Sequence, residues 1–460
     1  MKKIFGFVVT VCLMLCLSVC VLASEVDYVV KLKDGYAPPE LMELLTEVNK
    51  DHRLYTAKDY DKVVTFEKFI EYIEEDVYFD IIDEVVPVET DTYIGLMSTQ
   101  DLSKNAWQIE MIGAKPLWDM NTYGNGVNVG VIDSGCSPHD DLGSALKGGY
   151  NVMSGANTAD YSDNHGHGSH VAGIIAAQHN NIGMRGIAPK VNIYAIKVTD
   201  TGKLSLSTVA NAIYTAVDKF DCKVINMSLG GATGTTELKT AVKYAYNKGV
   251  ILLAAAGNEG EETYGNRKFY PASYDEVICV GAVNKEAKRT AFSQRNNTVF
   301  VVAPGYSYYS TYKNNGYGYM SGTSQATPIV AAAAAVMLSA NPDMTEQEFR
   351  NYITKNATPV DDDYTGCGCI QIGKMLEDYI SSQDIYMSPR TDNTMYIKNN
   401  TAEEINVVYA SEGTYDGKNK FSMRIASGTG KKADYIYESG TMYLWTDRLK
   451  PVVDPIVYGN

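Results

Sequence analysis

The feature that most constrains the fold is a series of short, nearly continuous apolar runs between residues 126 and 283, most of them closed by Gly, Ser or Asp. The runs read GVNVGVIDSG, VNIYAIKV, KVINMSLGG, VILLAAAGNEG and EVICVGAV, and helical stretches such as SLSTVANAIYTAVDKF separate several of them. Strands that are apolar throughout and alternate with helices are typical of a parallel sheet covered on both faces. The sequence therefore predicts an α/β domain whose chemistry lies at the carboxyl ends of the strands.

Different patterns on either side of this region divide the chain into further units. Residues 24–98 combine the strand-like DYVVKLKDGY with the helical spacing of APPELMELLTEVN, which predicts a small α+β unit. Residues 384–460 alternate apolar and polar residues between Gly, Asn and Lys, which predicts a small β-rich unit without a recognisable motif. Residues 99–383 then form the main domain.

The first 23 residues have the layout of a secretory signal peptide. Lys2 and Lys3 precede a long apolar run, and small residues follow at Ala23 and Ser24. The run is also long enough to span a bilayer, so an uncleaved anchor is the alternative. We expect an exported protein that is secreted or associated with the cell surface.

Charge and cysteine content exclude several classes of function. A net charge of −15 and a pI near 4.9 argue against a nucleic-acid partner, since phosphate binding needs a basic surface. Three of the eight cysteines lie in the leader, and the odd number that remains does not make a disulfide framework. Cys222 and Cys279 lie in apolar runs, where burial is expected. The chain has no HExxH motif and no paired CxxC motifs, so we expect no catalytic metal and no cofactor.

Asp133, His167 and Ser324 stand at the glycine-bounded ends of apolar elements. In acyl transfer a serine hydroxyl needs a base to take its proton, and the base needs a carboxylate to orient it and to stabilise the imidazolium. One chain thus holds a candidate nucleophile, a candidate base and a candidate orienting carboxylate.

Each residue also has an ordinary structural interpretation. Asp133 can simply form a turn after its strand, and His165 and His170 are as visible as His167 in DNHGHGSHVAG. Thr323 or Ser324 can cap the apolar helix that follows, because hydroxyl side chains accept orphan N–H groups at helix starts.

Two further segments fit acyl transfer to a peptide. Asn258, in the glycine turn of AAAGNEG, can donate its side-chain amide to an oxyanion, with the backbone N–H of Ser324 as the second donor. Ser228, Leu229 and Gly230 form an extended polar and glycine-containing edge with which a peptide can pair as an added strand.

The blocks VIDSG, HGSHVAG, NMSLGG, AAAGNEG and SGTSQATP resemble, in order and spacing, those of the subtilisin-like serine proteases, the subtilase or peptidase S8 family. The resemblance covers about residues 100–380. It implies a three-layer α/β/α fold around a mostly parallel sheet.

The resemblance also implies a role for each site residue. Asp133 is then the orienting carboxylate, His167 the general base and Ser324 the nucleophile, with Asn258 as the oxyanion donor. His170 takes the place of a second, non-catalytic histidine. The stretch from Ser228 to Gly230 resembles the family's substrate-binding edge.

The N-terminal unit resembles the inhibitory propeptide of the family (inhibitor I9-like). This implies that residues 24–98 assist folding and then inhibit by occupying the cleft. Self-cleavage is expected between about Thr92 and Lys104. Structural calcium is possible and is not predicted, because Asp141 alone matches a ligand of the family's site.

The sequence bears on three other functions. An α/β-hydrolase esterase would need G-x-S-x-G, whereas this chain has GTSQA, and it would place Ser before Asp and His. A catalytically silent pseudo-protease would normally lack one of the site residues. A peptidase dedicated to maturing one exported peptide stays open beside a broad endopeptidase.

Overall fold

A computed structural model describes residues 26–81, 104–119 and 122–383 except 262 and 264, together with seven strands between residues 385 and 458. The signal peptide expected in residues 1–23 and most of the stretch expected to contain the processing bond lie outside the described residues.

The N-terminal unit is an antiparallel four-stranded sheet with two short helices, so its described residues are α+β as expected. The elements are β1 (Tyr28–Leu32), α1 (Pro39–Met42), β2 (Thr46–Asn49), β3 (Leu54–Ala57), α2 (Tyr60–Val64) and β4 (Ile70–Glu75). The strand order is β2-β3-β1-β4. A further strand, β5 (Tyr78–Ile81), pairs outside this sheet.

The main domain alternates strands and helices along most of its length. Its elements are α3 (Ala106–Met111), α4 (Lys115–Asp119), β6 (Asn128–Asp133), β7 (Leu146–Asn151), α5 (His167–Ala176), β8 (Asn192–Lys197), β9 (Lys203–Ser205), α6 (Leu206–Asp218), β10 (Val224–Met227), β11 (Leu229–Gly230), α7 (Thr236–Asn247), β12 (Ile251–Ala255), β13 (Val277–Val283), β14 (Val301–Pro304), β15 (Tyr308–Tyr312), β16 (Gly316–Met320), α8 (Thr323–Ala340), α9 (Glu346–Asn356) and α10 (Ile372–Ser382).

Seven strands form the central sheet in the order β14-β13-β12-β10-β6-β8-β7, and every neighbouring pair is parallel. Successive strand residues face opposite sides. Val224 and Ile251 pack in the core that contains α5 and α8, whereas Ile225 and Leu252 pack in the core that contains α6 and α7. The predicted three-layer α/β/α fold is confirmed.

The strand order brings three polar segments together at the carboxyl ends of the central strands. Strands β6, β10 and β12 are direct neighbours and run in the same direction. Asp133 ends the first, Ser228 follows the second, and Asn258 lies just beyond the third. The carboxyl ends of these strands therefore gather the residues on which the site depends.

Helix α8 runs under the sheet, with Thr323 through Leu338 buried. Its many alanines allow close approach to the strands, because they add little bulk between helix and sheet. Among the described residues it is the one helix long and apolar enough to cross a membrane, and 89% of its apolar window is buried inside the protein.

Beyond residue 384 the described residues are strands in two antiparallel sheets. They are β17 (Ile385–Pro389), β18 (Met395–Asn399), β19 (Ile405–Ser411), β20 (Phe421–Ile425), β21 (Gly430–Ala433), β22 (Gly440–Thr446) and β23 (Ile456–Tyr458). The orders are β17-β18-β21 and β20-β19-β22-β23.

The five cysteines among the described residues are free thiols, and Cys222 and Cys279 are buried as predicted.

Candidate active site

Asp133 and His167 form a buried pair at the carboxyl edge of the sheet. Nδ1 of His167 lies 2.8 Å from Oδ1 and 2.9 Å from Oδ2 of Asp133, and both side chains are fully buried. With the N–H on Nδ1 directed at the carboxylate, Nε2 is the ring nitrogen that can accept a proton.

Glycines make this approach possible. Gly166 precedes α5 with φ of 106°, a left-handed conformation that favours glycine. A Cβ on Gly168 would lie 2.1 Å from the carbonyl oxygen of Gly135 and 3.1 Å from Oδ1 of Asp133. The glycine-rich sequence around His167 therefore allows helix α5 to begin directly against the end of β6.

Asp163 is a functional candidate that sequence reasoning missed. Its buried carboxylate accepts hydrogen bonds from the Ser134 hydroxyl at 2.8 Å and from the backbone N–H groups of His165, Gly166 and Ser169 at 3.0, 2.7 and 2.8 Å. It thus ties the residue after Asp133 to the start of α5, where the helix dipole favours negative charge. An aspartate three residues before a glycine helix start was the available signal.

The other two histidines of this segment do not contact Asp133. His170 is fully buried, with Nε2 at 3.0 Å from the Tyr308 carbonyl oxygen and 3.2 Å from that of Gly318. Burial, and then the proximity of His167, lower the pKa of His170 to about 3, so it is neutral. The His165 ring lies 6.4 Å from the His167 ring, centroid to centroid.

Ser324 lies in the first turn of α8, and the expectation that Thr323 or Ser324 caps this helix is wrong. The cap residue is Gly322, and no side chain caps the helix. The Thr323 hydroxyl instead donates to Oδ1 of Asn258 at 3.0 Å and accepts from the Gly257 N–H at 3.2 Å. The Ser324 hydroxyl donates to the Ser228 carbonyl oxygen at 3.2 Å.

Ser228 holds the start of α8 against the sheet. Pro328 has no N–H with which to bond the Ser324 carbonyl four residues earlier. The Ser228 hydroxyl donates to that carbonyl instead, at 2.9 Å, and itself accepts from Nδ2 of Asn226 at 3.0 Å. The residue expected only to bind substrate therefore also anchors Ser324.

The amide of Asn258 has a fixed orientation. Its Oδ1 accepts from the Thr323 N–H at 2.9 Å and from the Thr323 hydroxyl. Because both of these groups donate to Oδ1, the other terminal atom of the amide must be the nitrogen, Nδ2. The side chain can therefore donate a hydrogen bond beside Ser324, as an oxyanion site requires.

A strand of the N-terminal unit lies on the edge predicted to bind peptide. Strand β5 pairs antiparallel with β11, placing Ile81 opposite Leu229, and with β9 on its other side. Phe79 and Ile81 are buried at 7% and 6% exposure. The edge from Ser228 to Gly230 thus accepts an extended chain by strand addition.

Two carboxylates of the N-terminal unit bind helix starts of the main domain. Glu74 accepts from the N–H groups of Thr236 and Glu237 at 2.9 and 2.7 Å. Asp76 accepts from the N–H of Ser207 at 3.0 Å and from its hydroxyl at 2.6 Å. Helix starts favour negative charge, so these contacts stabilise docking.

Asp141, which alone matches a ligand of the family's calcium site, is fully buried. Its Oδ2 accepts from the Met184 N–H at 2.9 Å and from the Tyr317 hydroxyl at 3.2 Å. Its Oδ1 is buried without a hydrogen-bond partner among the described residues. No group of three or more His, Cys, Asp or Glu that could hold a metal occurs within the described parts of the chain. Burial raises the pKa of Asp141 to about 6.

Comparison with known proteins identifies close relatives of the main domain. Residues 124–394 match the subtilase family, peptidase S8. The chain is 43% identical to subtilisin E of Bacillus subtilis over 57% of this chain and 69% of that protein, and 42% identical to subtilisin DY of Bacillus licheniformis over 57% and 96%. It is 36% identical to the minor extracellular protease Epr of Bacillus subtilis over 76% of this chain. The matched region spans about half (54%) of the length of Epr.

Proposed function

Because the chain belongs to the subtilase family of serine-type endopeptidases, we propose that it hydrolyses peptide bonds through an acyl-enzyme on Ser324. In this proposal His167 is the general base and Asp133 orients it. Asn258 and the backbone N–H of Ser324 stabilise the oxyanion.

The reaction follows from these roles. The Ser324 oxygen attacks the peptide carbonyl while Nε2 of His167 takes the hydroxyl proton, and Asp133 stabilises the imidazolium. His167 then returns the proton to the leaving amine, which breaks the C–N bond and leaves the acyl group on Ser324. Water, deprotonated by the same base, releases the acid and restores the serine.

The observation that carries the proposal is the buried bond between His167 Nδ1 and the Asp133 carboxylate. A capping or merely structural histidine does not need a carboxylate that is itself excluded from water. The proximity of Thr323, the neighbour of Ser324, to Asn258 supports the oxyanion assignment.

We also propose that the chain is made as an exported precursor. Strand β5 lies on the edge that substrate would use, which favours the N-terminal unit as an intramolecular inhibitor. Self-cleavage between about residues 92 and 104, followed by release of residues 24–98, would then free the cleft. Export is supported by the leader sequence and by similarity to a protease named as extracellular.

Two alternatives to a broad endopeptidase predict different experimental results. A dedicated maturation peptidase would cleave one exported peptide and few others, whereas a broad endopeptidase would digest unfolded proteins generally. A pseudo-protease acting as a binding protein would not form a covalent adduct. Retention of all four candidate catalytic residues argues against it.

Labelling with a fluorophosphonate, which reacts with activated serines, tests the proposal. Mature wild-type enzyme should gain one adduct on the peptide that contains Ser324, and Ser324→Ala should gain none. Ser339→Ala is the matched control, because this serine lies in the last turn of the same helix and its hydroxyl only bonds Val336. Labelling of Ser324→Ala to the wild-type extent would refute the assignment.

A further inference from the structure

The edge from Ser228 to Gly230 follows β10 and the Asn258 turn follows its neighbour β12, so the two segments flank a slot beside Ser324. We propose that the Phe269 ring closes the floor of this slot and restricts the acyl-side residue of the cleaved bond to a small side chain. This inference rests on the proposed function.

The position of Ser324 determines which residue of a substrate enters the slot. Its hydroxyl lies 3.2 Å from the Ser228 carbonyl oxygen, so a peptide carbonyl that it attacks must lie beside Ser228. The same carbonyl oxygen must reach Asn258. The side chain of the residue that carries this carbonyl can then be buried between residues 228–230 and residues 255–257.

Phe269 already covers one side of that space. Its ring is 7% exposed and packs with Ala255, separately from the two cores on the faces of the sheet. A Cβ built on Gly257 would lie 3.0 Å from Cγ and 3.2 Å from each Cδ of the ring. The ring therefore lies directly on the backbone that leads to Asn258.

Backbone hydrogen bonds hold the ring in this position. The N–H of Tyr270 donates to the Gly231 carbonyl at 2.7 Å, and the N–H of Gly231 donates to the Tyr270 carbonyl at 3.0 Å. Phe269 is thus attached on one side to the residue after β11. On the other side its carbonyl accepts from the Ser273 N–H at 2.8 Å. The backbone at Tyr270 is thus fixed beside the peptide edge, while the Phe269 ring contacts the turn that leads to Asn258.

A large acyl-side residue would have to displace this ring. Forcing a second ring into a filled site costs packing energy and strains the backbone around it. Glycine, alanine and serine need no such displacement. The chemical class that the site selects is therefore a polypeptide cleaved after small residues.

The test compares two chromogenic peptides that differ only in the acyl-side residue, succinyl-Ala-Ala-Pro-Ala-p-nitroanilide and its Phe counterpart. Mature enzyme should show a kcat/KM at least about tenfold higher for Ala than for Phe, a ratio that pocket size alone can produce. Phe269→Ala should raise kcat/KM for the Phe peptide at least about tenfold and change that for the Ala peptide by less than about threefold.

Phe220→Ala is the matched control. Phe220 stacks on Tyr194, 4.6 Å between centroids, and follows α6 at the amino edge of the sheet. This variant should keep the wild-type ratio. If Phe269→Ala does not fold, digestion of a peptide library by wild-type enzyme decides the matter, because cleavage should follow Gly, Ala and Ser.

The outcomes separate this inference from the proposed function. Enzyme that labels at Ser324 but cleaves after Phe faster than after Ala overturns the inference alone. An unchanged ratio in folded Phe269→Ala overturns it as well. A protein that neither labels nor hydrolyses any peptide overturns the proposed function and the inference together.

Discussion

At the scale of single residues, the carboxylate of Asp163 organises the surroundings of the Asp133–His167 pair. It accepts hydrogen bonds from one hydroxyl and three backbone N–H groups, so neutral dipoles satisfy the buried carboxylate. Ser134, one of its donors, also accepts from the Gly168 N–H at 3.0 Å. We therefore expect Asp163 to affect catalysis through its neighbours, as a positioning residue.

Asp163→Ala should destabilise the protein by about 3 kcal/mol or more, because several buried donors lose their acceptor together. Chemical unfolding measures this, and kcat should fall because the start of α5 loses its anchor. Asp160→Ala, in an exposed position of the same loop, is the control and should change little. Equal stability of the two variants would contradict this account of Asp163.

Asp141 should make stability depend on pH and not on calcium. Its pKa is raised from 3.8 to about 6 by burial, so the folded state binds its proton more tightly than the unfolded state does. The resulting stabilisation is present below about pH 4 and is lost as pH rises through 6, by up to about 3 kcal/mol. Asn at this position does not titrate.

Thermal unfolding of wild type and Asp141→Asn from pH 4 to 8 tests this. The wild type should become the less stable of the two as pH rises, and EDTA should leave its midpoint unchanged. A midpoint that falls with EDTA in the wild type but not in Asp141→Asn would instead indicate a calcium site.

At the scale of elements, the docking of the N-terminal unit depends on two helix starts. Helices α6 and α7 already have their own caps, since the Ser205 and Thr235 side chains accept from the N–H groups of Thr208 and Leu238. Asp76 and Glu74 bind other N–H groups in these first turns.

The double change Glu74→Gln and Asp76→Asn should weaken this docking, because each substitution removes a negative charge from a helix N-terminus. In the full-length Ser324→Ala chain, hydrogen exchange of residues 26–81 should become about tenfold faster. Glu47→Gln, exposed on β2, is the control and should exchange like its parent. Unchanged exchange in the double variant would show that the two carboxylates do not hold the unit.

Local patterns predicted the elements better than the contacts between them. The apolar runs identified the parallel strands and their carboxyl ends, because burial on both faces leaves a signal within each strand. The alternative that Thr323 or Ser324 caps α8 is wrong because the Thr323 hydroxyl bonds Asn258, which is 65 residues away. Phe269 could not be identified for the same reason, since it contacts Ala255 and Gly257, more than ten residues away. Asp163 did leave a local signal, because three of its four donors lie within six residues of it.

At the scale of the whole molecule, the parallel sheet brings the ends of β6, β10 and β12 together, and α8 delivers Ser324 to the same edge. The resemblance to subtilases implied a covered cleft. It did not identify β5 as the strand that lies there, because the pairing of β5 with β9 and β11 is a tertiary contact. The catalytic roles of Asp133, His167, Asn258 and Ser324 stay predictions.

The role of Ser324 as nucleophile is tested most directly in the full-length chain, purified in wild-type form and as Ser324→Ala. Intact-mass measurement should show the wild type losing its N-terminal unit and then hydrolysing an added peptide, while Ser324→Ala keeps its full mass and leaves the peptide intact. A Ser324→Ala chain that still removes its own N-terminal unit and cleaves the peptide would contradict the account.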